Sequence, residues 1–129
     1  MNKIIIEVSI GELLDKISIL EIKQGKIKDP EKLKFINNEY SILKDQLEKN
    51  IESDEKLNAL YQSLKEINAK LWVIEDDKRQ CEKEKDFGEK FIKLSRDVHF
   101  LNDDRAKIKL EINNYTGSVI KEIKEYTSY

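Results

Sequence analysis

Leu57, Leu60, Leu64, Ile67 and Leu71 fall at alternating steps of three and four, the spacing that places all five on one stripe of an α-helix. Leu33, Ile36, Tyr40, Leu43 and Leu47 repeat the rhythm. Two such seams in one short chain require helices that bury them. Four glycines and a single proline in 129 residues leave little material for the turns of a sheet protein, so the composition agrees. The reading is an all-α chain with one helical domain over 1–129, because this length supports one core and not two.

Local signals divide the chain. "IIIEV" at 4–8 is β-branched and reads as a short extended segment. Ser9 followed by Glu12 is a capping box that opens a first helix running to about Ile27. Asp29-Pro30 supplies an N-cap and a proline at the first helical position of a second helix, and Ser53 or Asp54 caps a third. At 100° per residue the stripe through Leu57, Leu64 and Leu71 lies roughly 140° to 180° from the one through Phe91, Leu94 and Val98, so the chain turns between Glu82 and Phe87. Asp86, Gly88 and Glu89 then open a fourth helix that runs to about Tyr115 and stops at Gly117. "SVIKEIKEYTSY" is expected to add a short last helix and an aromatic tail folded back on the bundle. The short connection between the second and third helices predicts that they pack as an antiparallel, coiled-coil-like hairpin. The expected architecture is a four-helix-bundle-like single domain of long antiparallel helical hairpins.

Charge and composition exclude several functions. The 24 basic and 26 acidic side chains give a net charge of −2 and form no basic stripe, which speaks against nucleic acid. No stretch is apolar enough for a signal sequence or a membrane span, and Cys81 has no second cysteine to pair with, so a cytoplasmic protein is expected. His99 stands without a second histidine nearby, so no metal is assigned, and no cofactor is indicated.

The apolar stripes turn polar on three helices. Asn68, Glu75, Arg79 and Glu82 continue the stripe of the third, Ser95, Asn102 and Arg105 share a face with Phe91 and Leu94, and Glu21 and Gln24 lie among Ile10, Leu13, Ile17 and Leu20. If the second and third helices fold back near residue 52, Leu71 lies opposite Leu33 and Glu75 faces the end of the first helix. If the third and fourth fold back near 85, Asn68 is level with Asn102. A buried polar layer of Glu21, Asn68, Glu75, Arg79, Asn102 and Arg105 is therefore expected. All three arginines of the chain lie between 79 and 105, and a planar, permanently charged fork suits the fixed gripping of a carboxylate or phosphate.

Three readings of that layer stay open. It is a satisfied network that fixes helix register, or a site for a small anionic or polyol ligand held by Arg79 and Arg105, or a magnesium site of the kind used by all-α nucleoside triphosphate pyrophosphohydrolases. The last has candidate pairs in Glu12 with Asp15, Glu75 with Asp77, and Asp103-Asp104, but lacks the double-glutamate helix motif of those hydrolases. The preferred reading is a non-catalytic binding or interaction module. Ile19 and Ile22 form a second apolar strip on the first helix, beside Glu12 and Asp15, so that helix is either central or at an interface, and a homodimer is expected.

The blocks "EVSIGELLDKISILEIK", "NAKLWVIEDDKR" and "FIKLSRDVHFLNDDRAKIKLEIN", with the closing "GS…Y", resemble a small family of uncharacterised helical proteins from bacteria and their phages. The likeness spans nearly the whole chain and implies a single domain without supplying a mechanism. It places Glu12, Asp15, Lys16, Asn68, Trp72, Glu75, Asp76, Arg79, Asn102, Asp103 and Arg105 in motif blocks. Ser95 and the tail "EIKEYTSY" depart from its pattern.

Overall fold

A computed structural model describes residues 2–129. Four helices follow in chain order, α1 (Ile10–Lys26), α2 (Pro30–Asn50), α3 (Glu55–Glu84) and α4 (Glu89–Thr116), with no strand among the described residues. Their ends are set by local chemistry. Ser9 Oγ accepts from Glu12 N at 3.0 Å, Asp29 accepts from Glu31 N with Pro30 at the first helical position, and Asp54 accepts from Leu57 N at 2.8 Å. Only half of the capping box forms, because the Glu12 carboxylate turns to Lys109 instead of Ser9 N. Lys85 ends α3 in the left-handed region (φ 55°), Gly88 is the N-cap of α4, and Gly117 (φ 69°) closes α4.

α1 is the centre of the molecule. It packs against all three other helices, α3 and α4 pack against each other, and α2 rests on α1 alone. The expected α2–α3 hairpin is therefore replaced by two others, α1–α2 and α3–α4. The seam of α2 is as the spacing predicted, with Leu33, Ile36, Tyr40, Leu43 and Leu47 all half-buried, but it faces α1. The physical reason lies in α1, whose Leu14, Ile17, Leu20 and Ile22 are all buried, so that it is apolar on more than one side. Such a helix is worth most when sandwiched, and α1 separates the two seams. Of its second apolar strip, Ile22 is buried within the chain, while Ile19 is half-buried and lines an open groove.

α1 starts over α4, where Gly11 N meets Asn113, and ends over α3, where Glu21 meets Tyr61, so it lies across the α3–α4 pair. Where the three helices meet, Leu14, Leu57, Leu64 and Ile112 form the core, backed by Leu47 and Ile51. Beyond Leu71 the only buried residue of α3 is Cys81, so the outer half of the α3–α4 hairpin projects as two helices with Val73, Ile92 and Phe100 exposed.

The tail corrects a second expectation, since residues 118–129 form no helix. The segment is short and carries several β-branched residues, both unfavourable to an isolated helix. It folds back on α4 without regular secondary structure, with Tyr129 edge-on to Phe100 at 5.4 Å.

Gly11 is a contact point. A Cβ there would sit 2.6 Å from Lys109 O and 3.0 Å from Asn113 Oδ1, whereas Gly25, in the same helix, has nothing within 4 Å. Opposite outcomes are expected from one chemical change: Gly25→Ala stabilises by about 0.5–1 kcal/mol through helix propensity, and Gly11→Ala destabilises by about 1–3 kcal/mol because α1 and α4 must separate. Urea unfolding of the two variants measures both, and a stabilised Gly11→Ala protein contradicts the close approach.

Candidate functional site

Asp15 is the organising group. It lies on the α4-facing side of α1 and is 1% exposed. Arg105 grips it with a fork, Nε donating to Oδ1 at 3.0 Å and Nη2 to Oδ2 at 2.5 Å. Asn68 Nδ2 donates both to Asp15 Oδ1 at 2.9 Å and to Ser18 Oγ at 2.8 Å, while Ser18 Oγ donates to the Asp15 carbonyl. Lys109 Nζ stands 3.9 Å from Asp15 and donates to Glu12 at 2.7 Å and to Glu122 of the tail at 3.1 Å. Three helices and the tail thus meet on one carboxylate and its neighbours.

The electrostatics follow from this geometry. Burial pushes the Asp15 carboxyl up, but the hydrogen bonds of Arg105 and Asn68 and the charges of Arg105 and Lys109 outweigh it and hold the group below the usual carboxylate range. The Asp15 hydrogen bonds push Arg105 up. Burial pulls Lys109 down, and Glu12, Asp15 and Glu122 more than reverse that.

The same neighbourhood satisfies the start of α1. Four N–H groups at a helix N-terminus lack partners within the helix. Here three of them find partners outside the helix ladder, Ile10 N donating to Ser118 Oγ at 3.2 Å, Gly11 N to Asn113 Oδ1 at 2.7 Å and Glu12 N to Ser9 Oγ, before Leu13 N makes the first regular bond to Ser9 O. Asn113 is fixed in this orientation, which leaves its Nδ2 the buried side-chain polar atom without a partner among the described residues. The residue after the C-cap glycine of α4 and the last turn of α4 therefore complete the first turn of α1.

The six residues of the expected layer divide. Asn68 and Arg105 belong to the Asp15 network. Glu21 forms a second cluster nearer the C-terminus of α1, accepting from the hydroxyls of Tyr40 (3.1 Å) and Tyr61, with Lys65 at 3.5 Å. Burial raises the Glu21 carboxyl, and the two tyrosines and Lys65 bring it below its ordinary value. Asn102 is half-buried and lines a cleft of about 750 Å³ between α4 and the tail, with His99 and Tyr126. Glu75 and Arg79 are exposed, contrary to the expected burial, because α1 crosses only the inner half of the α3–α4 hairpin and nothing lies over their turn of α3. Even so, Asn68, Glu75, Arg79 and Arg105 share one open groove of about 350 Å³, walled by Trp72 and Ile19.

Periodicity missed Lys109, Asn113, Ser118 and Ser18. A signal existed for the first two: Arg105, Lys109 and Asn113 stand four apart, a polar ladder on one face of α4 beside Ile108 and Ile112. Three of the six carboxylates proposed as magnesium ligands are engaged by other side chains, Glu12 by Lys109, Asp15 by Arg105 and Asp103 by the Tyr129 hydroxyl. Among the described residues no three His, Cys, Asp or Glu side chains gather in a way that could hold a metal ion.

Fold and network together define an all-helical protein built around one ion-paired carboxylate. The chain belongs to the family of unknown function DUF6165, which it matches over residues 4–129. No curated protein and no solved structure matches it. Among the described residues no helix is long and apolar enough to cross a membrane.

The lowered Asp15 value fixes a sign. A carboxyl that titrates below its ordinary 3.8 in the folded state contributes fully above that pH, and the contribution is lost as pH falls through the lowered value. Stability is expected to fall steeply below about pH 4. Asp15→Asn, which leaves Arg105 and Lys109 facing a neutral amide, costs about 3 kcal/mol or more at pH 7 and flattens that acid limb. Denaturant unfolding at pH 7 and pH 3 checks both, and an unchanged acid limb in the variant contradicts the assignment.

Proposed function

We propose that the chain is a non-catalytic helical binding module, with a second copy of itself as a protein partner, whose α1–α3–α4 groove takes a small anionic ligand. One observation carries the ligand reading: Arg105 is locked in place by Asp15 through Nε and Nη2, while its Nη1, unused among the described residues, belongs to a side chain that lines an open groove. Arg79 lies on the same groove, exposed and without an ion-pair partner among the described residues, and Trp72 offers a flat apolar wall. A preorganised fork loses little side-chain entropy on binding an oxyanion, and a second guanidinium within the same groove adds a charge-assisted contact. Glu75 and Asp76 on the same wall disfavour highly charged ligands and favour a single carboxylate or phosphate attached to a polar body.

The proposal is tested by melting the protein against a panel of monocarboxylates, phosphate monoesters and, separately, nucleotides with magnesium. A ligand at a hundredfold excess over its Kd stabilises by about 2.7 kcal/mol. The expected result is stabilisation by at least one monoanion, independent of magnesium and lost in Arg79→Ala, a variant that keeps the Asp15 network intact. Equal melting of wild type and Arg79→Ala under every condition removes the ligand reading. Stabilisation that requires magnesium with a nucleotide replaces it with the hydrolase reading.

A further inference from the structure

Residues 2–8 are assigned to no helix or strand, and Ile4, Ile5 and Ile6 are 90%, 86% and 70% exposed. Three consecutive isoleucines in water are unfavourable, at about 25 cal/mol for each Å² of apolar surface left uncovered. Flexible disorder does not account for their type, since β-branched residues are stiff and favour an extended backbone. The arm also has a fixed root. Ser9 is buried, capping α1, and the neighbouring Ile10 N is bonded to Ser118. That bond holds Val119 (98% exposed) and Ile120 at the same end of the molecule, where they add apolar surface beside the arm. Among the described residues there is no strand for the arm to pair with.

The arm's own sequence identifies its partner. In an extended backbone Ile4, Ile6 and Val8 share one face and Lys3, Ile5 and Glu7 the other. Set antiparallel to an identical arm about Ile5, Lys3 lies opposite Glu7 of the second copy and Glu7 opposite its Lys3. In that register Ile4 faces Ile6, Ile6 faces Ile4, and Ile5 meets Ile5 on the two-fold axis. A one-residue slip in either direction would mix the apolar face of one strand with the charged face of the other. A two-residue slip keeps the faces but puts Lys3 or Glu7 opposite an isoleucine. One register therefore satisfies both faces and both charge pairs. A patch that is complementary to itself is what a two-fold dimer requires.

We infer that residues 3–7 form an arm-to-arm contact between two copies of this chain, an antiparallel β-ribbon whose register is set by reciprocal Lys3–Glu7 pairs. Two strands alone are marginal in water, so the ribbon's Ile4, Ile6 and Val8 face rests against apolar surface at the arm roots, where Val119 and Ile120 stand. The inference is independent of the groove ligand, which lies on the opposite half of α1 and on α3.

Sedimentation equilibrium of the full chain tests it through charge. Wild type is expected to be a dimer in the micromolar range. Glu7→Lys sets two lysines against two lysines and raises the dissociation constant about tenfold or more. The swap Lys3→Glu/Glu7→Lys restores it to within about threefold. Ile5→Cys, in a protein whose native Cys81 is buried, gives a disulfide-linked dimer on mild oxidation, as a residue on the two-fold must. Circular dichroism confirms that each variant keeps its helices. A folded wild type that stays monomeric, or a dimer equally tight in Glu7→Lys, or a swap that fails to rescue, overturns the inference.

Discussion

A carboxylate placed inside a small helical protein is the constraint to which the rest of the structure answers. Asp15 is almost wholly removed from water, and an ionised group in that position is tolerable only when its lone pairs are filled and its charge is matched. Arg105, Asn68 and Lys109 do this from two other helices, and each is positioned by requirements of its own. α3 must approach closely enough for an amide to reach both Asp15 and Ser18. α4 must present Arg105 and Lys109 one turn apart on the face that also carries Ile112. Gly11 allows the α1 and α4 backbones to close to contact. The network therefore specifies the crossing of α1 over α3 and α4 in a way that the apolar core, which tolerates sliding, does not.

The same arrangement links local structure to chemistry. The N-terminus of α1 is completed by Asn113 and Ser118, so the end of the chain helps to fold its beginning, and Glu122 draws the tail onto Lys109. Arg105 is held by its inner nitrogens and lines the groove beside Arg79 and Trp72. The ion pair at the base and the open groove above it share one guanidinium, and the proposed binding role rests on that sharing.

Much of this was legible in the sequence, and what was not has a definite cause. Helix ends were readable because caps are local: Ser9, Asp29, Asp54 and Gly117 stand where their side chains or backbone act. Partner choice was not, because a stripe such as Leu33 to Leu47 gives the direction of an apolar face and not the helix that will cover it. α1, apolar on two sides, took the place between α2 and α3. For the same reason Glu75 and Arg79 read as interior: their angle on α3 matches that of Leu57, but α1 does not extend far enough to cover them. Asp15 reads in the sequence as a neighbour of the second apolar strip of α1 and a candidate magnesium ligand, and it is the close approach of α4 that makes it central. Its importance was carried in the sequence only by the resemblance blocks and by the four-residue ladder Arg105, Lys109, Asn113.

The claim that Asp15 and Arg105 form the pairing on which this packing depends is tested most directly by a double-mutant cycle. Asp15→Ala, Arg105→Ala and the double variant are unfolded in urea beside the wild type at pH 7. The account predicts a coupling energy of about 2 kcal/mol or more, with the double variant more stable than the sum of the single losses implies, because the second substitution removes a group already left without its partner. Additive losses, with coupling near zero, would contradict it.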